Sequence, residues 1–310
     1  MAATILVPLD NSRFGEHALP VAVGIARRTG ARVHVVHCHE PPLPPMYPVS
    51  GAPYDPNLDR ALRDQETGYL AKIADRVLQT CGIAVRTELL SAPTVPTLIS
   101  YAADTEVDLI VMTTHGRGGI SRAWLGSVAD SVVRRTSVPV MLLRPRDEDV
   151  VLTCEPQTSH MLIPLDGSDL SEGILAPALA IAQLSGARIT LLQVMPPNED
   201  GTDAPEAERS SALRYLNDLA AQLPDDVDVS VAVEAHASPA VAILEYAALN
   251  GVDLVALATH GRGGWSRVAI GSVADKVVRG TMMPVLLYRP PADGSHALVD
   301  GGGLAEAVRG

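Results

Sequence analysis

The chain has 310 residues, enough for about two domains of ordinary size. Hydrophobic residues make up 47% but aromatics only 3%, so Val, Ile, Leu and Ala must fill the cores, as in buried parallel strands covered by Ala-rich helices. A net charge of −12 argues against nucleic acid or an anionic membrane surface as a partner. The three cysteines (Cys38, Cys81 and Cys154) are odd in number and far apart, which fits neither a disulfide framework nor a zinc site. They read as reduced thiols of a cytoplasmic protein, and no continuous apolar window is long enough for a membrane span.

In chain order, Met1-Ala-Ala-Thr-Ile-Leu-Val-Pro-Leu-Asp10 reads as a first strand over 4–9 rather than a signal peptide. A helix is expected over 12–29 and a strand over 32–38. The run Pro41-Pro-Leu-Pro-Pro-Met-Tyr-Pro48 can continue neither and reads as a surface loop. The helix over 58–81 carries Asp59, Arg60, Arg63, Asp64, Glu66, Lys72, Asp75 and Arg76, expected on a solvated face with i,i+4 pairs. A strand (83–89), helix (95–104), strand (108–112), helix (127–136) and strand (139–143) follow. Residues 147–158 are polar and read as a linker, and 291–310, rich in Gly and Ala, as a loose tail.

The pattern then repeats. Val7-Pro-Leu-Asp10 returns as Ile163-Pro-Leu-Asp166, and Gly30-Ala-Arg-Val33 as Gly186-Ala-Arg-Ile189. Val107-Asp-Leu109 returns as Val252-Asp-Leu254, and Leu142-Leu-Arg-Pro145 as Leu287-Tyr-Arg-Pro290. The offset is 156 at Asp10/Asp166 but 145 at Tyr101/Tyr246, so copy one carries extra residues between them, placed at the Pro-rich run. Alternating strands and helices imply right-handed βαβ crossovers and a parallel sheet in each copy. The simplest doubly wound order is 3-2-1-4-5, which opens a crevice at the carboxyl ends of strands 1 and 4. The expected domains are 1–146 and 159–290, each with helices on both faces of its sheet.

The longest repeated stretch is Thr113-Thr-His-Gly-Arg-Gly-Gly-Ile-Ser-Arg-Ala-Trp-Leu-Gly-Ser-Val-Ala-Asp130, returning 145 residues later from Ala258 to Asp275. Gly116-Arg-Gly-Gly119 gives a backbone that can approach a ligand closely. Gly126-Ser127 opens a helix, where free N–H groups and the helix dipole favour phosphate. Ser127 can donate its hydroxyl, and Arg117 or Arg122 can add charge. The alternative is a tight turn with Ser127 as an N-cap. Neither GxxxxGK[ST] nor a GxGxxG after the first strand is present, which argues against a P-loop ATPase and a dinucleotide enzyme.

Asp10 and Asp166 belong to the crevice, or else cap the following helix or brace the turn before it. His115 and His260 read as hydrogen bonders of the turn, since no partner for catalysis accompanies them. His37 and His39 alternate along strand 2, where copy two has Gln193 and Met195. Packing and hydrogen bonding are favoured there over metal ligation. Trp124 and Trp265 read as groove-lining or packing residues.

With these motifs the chain resembles a tandem universal stress protein over nearly all of residues 1–290. That family's pattern is G-x2-G-x9-G-[ST] after strand 4; here it reads Thr113-x2-Gly116-x9-Gly126-Ser127 and Ala258-x2-Gly261-x9-Gly271-Ser272. The resemblance implies two Rossmann-like domains of the adenine nucleotide alpha hydrolase-like type, packed as an intramolecular pseudo-dimer. It leaves open whether two chains pair as a homodimer. It implies binding of ATP, ADP or AMP by a stress-response regulator with a regulatory protein partner, and Mg²⁺ with a triphosphate. Asp10 and Asp166 would meet the adenosine end, Cys38 and Val194 the adenine through their backbone. Gly116, Arg117, Gly119, Gly126 and Ser127, with Gly261, Arg262, Gly264, Gly271 and Ser272 in copy two, would hold phosphate. Thr113 and Ala258 replace the first glycine, and their side chains narrow the approach to ribose and phosphate. A binding module is favoured over the alternatives, a slow ATPase or phosphotransfer enzyme and a nucleotide-free interaction protein with degenerate sites.

Overall fold

The computed structural model describes residues 3–42, 55–114, 125–144, 149–153, 158–198, 205–260 and 270–290. Copy one comprises β1 (Thr4–Leu9), a short 3-10 helix (Gly15–Ala18), α1 (Leu19–Thr29), β2 (Arg32–His39), α2 (Pro56–Cys81), β3 (Val85–Ser91), α3 (Thr94–Asp104), β4 (Leu109–Thr113), α4 (Ser127–Arg135) and β5 (Val140–Leu143). Copy two comprises β6 (His160–Pro164), α5 (Asp169–Glu172), α6 (Leu175–Ser185), β7 (Arg188–Met195), α7 (Glu206–Ala220), β8 (Val229–Ala235), α8 (Pro239–Leu249), β9 (Leu254–Ala258), α9 (Ser272–Gly280) and β10 (Val285–Tyr288).

Each copy is a doubly wound parallel sheet in the order 3-2-1-4-5, as the alternation of elements predicts. Strand side chains alternate between faces. Ile5, Val7 and Leu9 face a layer formed with α1 and α2, while Leu6 faces one formed with α3 and α4. Both layers run on into copy two, under α6 and α7 and under α8 and α9. Gly30 and Gly186 recur for a backbone reason: each ends a helix with φ of 68° and 65°, where a side chain would be strained.

The two sheets join. β5 pairs antiparallel with β10, aligning Val140 with Leu287 and Leu142 with Val285, to give one ten-stranded sheet. Around this seam Arg134 grips Asp130, and Arg279 grips Asp275, each at i,i+4. The Asp130 hydrogen bond holds the Arg134 guanidinium above its ordinary pKa, and Asp275 from the other copy adds to the shift. The repeated Arg-Pro pairs explain themselves here. Arg144 donates to the carbonyls of Arg279 and Thr281, and Arg289 to that of Arg134, each reaching into the other copy.

Separated halves would each expose an apolar edge strand. The separately expressed segments 1–146 and 159–290 are therefore expected to dimerise, each replacing the missing edge with a copy of its own. Sedimentation at micromolar concentration checks this; stable monomeric halves would count against the seam as an assembly surface.

Two expectations change. Asp59 and Glu66 of α2 do not face solvent but turn in toward β2, with Asp59 buried; the Arg63–Asp59 pair does form at i,i+4. Leu152, inside the polar linker, is buried in the α1–α2 layer, with its carbonyl accepting from Cys81 Sγ. The extra length of copy one falls between β2 and Tyr69: the offset is 156 at Arg32/Arg188 and 146 at Tyr69/Tyr215, whose hydroxyls donate to Glu16 and Glu172 in turn. Residues 43–48 of the Pro-rich run, linker residues 147–148 and 154–157 with Cys154 among them, and the tail lie outside the described residues.

Candidate functional site

The crevice predicted at the switch point is open in copy two. A cavity of about 810 Å³ lies at the carboxyl ends of β6, β7 and β9, roofed by α8 and the start of α9. It gathers Asp166, Val194, Ala258, Gly271 and Ser272, five of the residues singled out in the sequence. β7 runs past its last partner in β6, at Pro164/Leu192, so Val194 and Met195 line the cavity. Ala258 ends β9 and is half-buried.

The start of α9 has a definite chemistry. Gly271, not Ser272, is the N-cap, and no side chain caps the helix. The first intrahelical bond runs from Asp275 N–H to the Gly271 carbonyl. The amides of Ser272, Val273 and Ala274 precede it, and all three residues line the cavity. Such a terminus favours an anion. Ser272 is the exposed first residue of the helix, so its hydroxyl is not spent on a cap. Gly271 N–H donates to the Thr259 carbonyl at 2.7 Å, and a Cβ on Gly271 would meet that same oxygen at 2.9 Å. The glycine is therefore needed for a close backbone approach, whatever it does for a ligand.

Copy one repeats this frame. Gly126 is the N-cap of α4, without a side-chain cap, and donates to the Thr114 carbonyl at 2.7 Å. The N-cap reading of Ser127 is thus corrected: Ser127 is the exposed first helical residue. Thr113 ends β4 and is buried at 8% exposure, against the half-buried Ala258. Gly116, Arg117, Gly119, Arg122, His115 and Trp124, with Gly261, Arg262, Gly264 and Trp265, lie outside the described residues.

Asp10 and Asp166 brace the turns after β1 and β6. Asp166 Oδ1 accepts from the backbone and hydroxyl of Ser168 at 3.0 and 2.5 Å, and Asp10 Oδ1 likewise from Ser12 at 3.2 and 2.6 Å. Neither aspartate caps a helix; Ser168 caps α5, accepting from Ser171 N–H. Asp166 also lines the cavity, so bracing and lining coexist. His260 lies at the cavity with Nδ1 3.0 Å from the Thr259 hydroxyl, a hydrogen bond of the turn.

At the end of β2, Cys38 is half-buried, and burial with the Glu40 carboxylate nearby pushes its thiol up to about 11. It is a thiol, not a nucleophilic thiolate, at neutral pH. Beside it the two histidines form a buried cluster. His39 Nδ1 lies 2.7 Å from Glu66 and Nε2 2.9 Å from Asp59; His37 Nδ1 lies 2.7 Å from the Leu9 carbonyl and Nε2 3.4 Å from Glu66. A neutral imidazole has one N–H, so the two carboxylate contacts of His39 require a second proton held on the ring or on a carboxyl. Three of these nitrogens are hydrogen-bonded and His37 Nε2 faces the Glu66 carboxylate, and no three His, Cys, Asp or Glu among the described residues are grouped to hold a metal.

Sequence reasoning missed Glu208, Pro239, Ile243 and Ile270 as lining residues, and noted Gln193 only as the counterpart of His37. Gln193 did carry a signal, a lone amide in the apolar run Leu191-Leu-Gln-Val-Met195. Among the described residues no helix is long and apolar enough to cross a membrane.

The comparisons with known proteins agree with this frame. A universal stress protein of Mycobacterium tuberculosis is 29% identical over 269 residues, covering 83% of this chain and 86% of its own length. One from Mycolicibacterium smegmatis is 28% identical over 300 residues, covering 92% of this chain and 97% of its own. In fold, the crystal structure of a universal stress protein from Archaeoglobus fulgidus matches with a TM-score of 0.70 at 18% identity, covering 92% of this chain and 98% of that one. The model of the universal stress protein family matches residues 1–144 and again 158–289, so the chain belongs to that family, with the family's unit present twice.

Proposed function

We propose that this chain binds ATP or a related adenine nucleotide at the switch-point crevice of each copy and acts as a stress-response regulator through a protein partner. The observation that carries the reading is the copy-two cavity with the uncapped start of α9 opening into it. Its volume of about 810 Å³ suits a small-molecule ligand. In this reading the amides of Ser272, Val273 and Ala274 and the Ser272 hydroxyl take phosphate, while Asp166 and the Val194 backbone take the adenosine end. Gly126, Ser127, Asp10 and Cys38 do the same in copy one. Mg²⁺, if it accompanies a triphosphate, is held mainly by phosphate oxygens and water.

A ligand that prefers the native state stabilises it, by about 2.7 kcal/mol at a hundred times its Kd. ATP is therefore expected to raise the melting temperature of nucleotide-free protein, and calorimetric titration with ATP, ADP and AMP is expected to rank them. No heat and no melting shift at millimolar nucleotide would remove this reading.

A further inference from the structure

Gln193 sits on β7 and lines the copy-two cavity, yet it is only 9% exposed. Its Oε1 is buried and accepts no hydrogen bond from any described residue. A buried acceptor without a donor costs stability, and a rotation of the Gln193 side chain toward the cavity it lines lets a molecule there supply the donor. Copy one shows the contrast. His37 occupies the matching place, and its ring nitrogens are engaged by the Leu9 carbonyl and Glu66. In copy two the position of Glu66 is taken by Ala212, by the register of Tyr69 with Tyr215.

The sheet order decides which part of a ligand reaches Gln193. β6 lies between β7 and β9, and α9 follows β9. Strands are about 4.8 Å apart, so the ends of β7 and β9 are separated by about 10 Å. An anion at the start of α9 therefore leaves the far end of its molecule at β7. A phosphate ionised at neutral pH offers few donors, whereas a nucleoside offers ribose hydroxyls and a base amino group. Glu208 of α7, which also lines the cavity, adds a second acceptor on this side.

We propose that Gln193 is a specificity-determining residue of copy two, accepting a hydrogen bond from an O–H or N–H donor on the nucleoside part of the ligand. This rests on the nucleotide-binding reading above. Copy one, with His37 engaged, lacks this contact, so the two copies differ in which nucleosides they distinguish.

The test uses the full chain with copy one silenced by Ser127→Asp, titrated with ATP, 2′-deoxy-ATP, 3′-deoxy-ATP and inosine triphosphate. Gln193→Met keeps the length of the side chain and removes its hydrogen bonding; Gln193→Leu is the second variant should the first fail to fold. Loss of one buried hydrogen bond is expected to weaken ATP about tenfold. The analogue lacking the matching donor should already bind the parent chain about tenfold more weakly than ATP, and lose nothing further in the variant. That analogue identifies the donor as the 2′-hydroxyl, the 3′-hydroxyl or the base amino group. The melting temperature without ligand should hold or rise, because an unpaired acceptor has gone. Unchanged ATP affinity, or an equal loss for all four nucleotides, overturns the proposal. If the parent chain binds none of them, the nucleotide reading itself fails, and this is seen before any Gln193 variant is made.

Discussion

Ser272→Asp is expected to abolish nucleotide binding in copy two while leaving the fold as stable as before, or slightly more so. Ser272 is exposed, caps nothing, and is the first residue of α9. A carboxylate there is favourable to the empty helix by about 0.3–1 kcal/mol, because the dipole presents its positive end. The same carboxylate opposes a phosphate at that terminus. Two unit charges about 5 Å apart at an effective dielectric of about 20 repel by about 3 kcal/mol, roughly a hundredfold in affinity. Gly271→Asp is a poorer probe, because its Cβ would meet the Thr259 carbonyl and disturb the backbone before any charge acted. Titration calorimetry should show one site lost with Ser272→Asp and both lost when Ser127→Asp is added, with thermal unfolding unharmed. Unchanged stoichiometry and affinity in the folded double variant would show that these helix starts hold no phosphate.

Glu66→Ala is expected to cost about 3–5 kcal/mol, the range for breaking a buried ionic cluster by removing one partner. His39 and Asp59 would stay buried, with one contact of His39 gone and His37 losing its Glu66 neighbour. Copy two supplies the compensated version: Met195 and Ala212 occupy the places of His39 and Glu66. Combining His39→Met with Glu66→Ala should recover most of the loss, since Asp59 keeps Arg63 at 2.8 Å and apolar replacement of a buried charge cluster is often neutral. Denaturant unfolding at fixed pH of the two single variants and the double variant measures this coupling. A double variant that loses the sum of the singles would mean that the cluster does not act as a unit.

The positions of the strands and helices were legible because burial imposes a period on each segment. β1 and α3, for example, fall within a residue of the expected bounds. The duplication, the order 3-2-1-4-5 and the crevice followed from the alternation of elements, since crossover handedness and close packing leave few solutions. Asp166, Ala258, Gly271 and Ser272 could be placed at the crevice for the same reason: each follows or ends a strand at its carboxyl end or begins the next helix.

Other features needed the folded chain. Periodicity reports that a side chain is covered, not by what. The charges of α2 read as a solvated face, yet Asp59 and Glu66 turn inward because His39 on β2 gives both a hydrogen-bonding partner in the core. Arg144 and Arg289 were visible as a repeated Arg-Pro pair, but only the β5–β10 pairing gives them carbonyls in the opposite copy. In the sequence Gln193 stood out only as the counterpart of His37. That its buried acceptor has no partner among the described residues depends on α7 presenting Ala212 where α2 presents Glu66. The sequence by itself determined the elements, their order and the location of the crevice, because these follow from local period and chain connectivity. Only the tertiary structure decided which buried polar groups find partners, because that depends on contacts between segments whose separation in sequence carries no periodic signal.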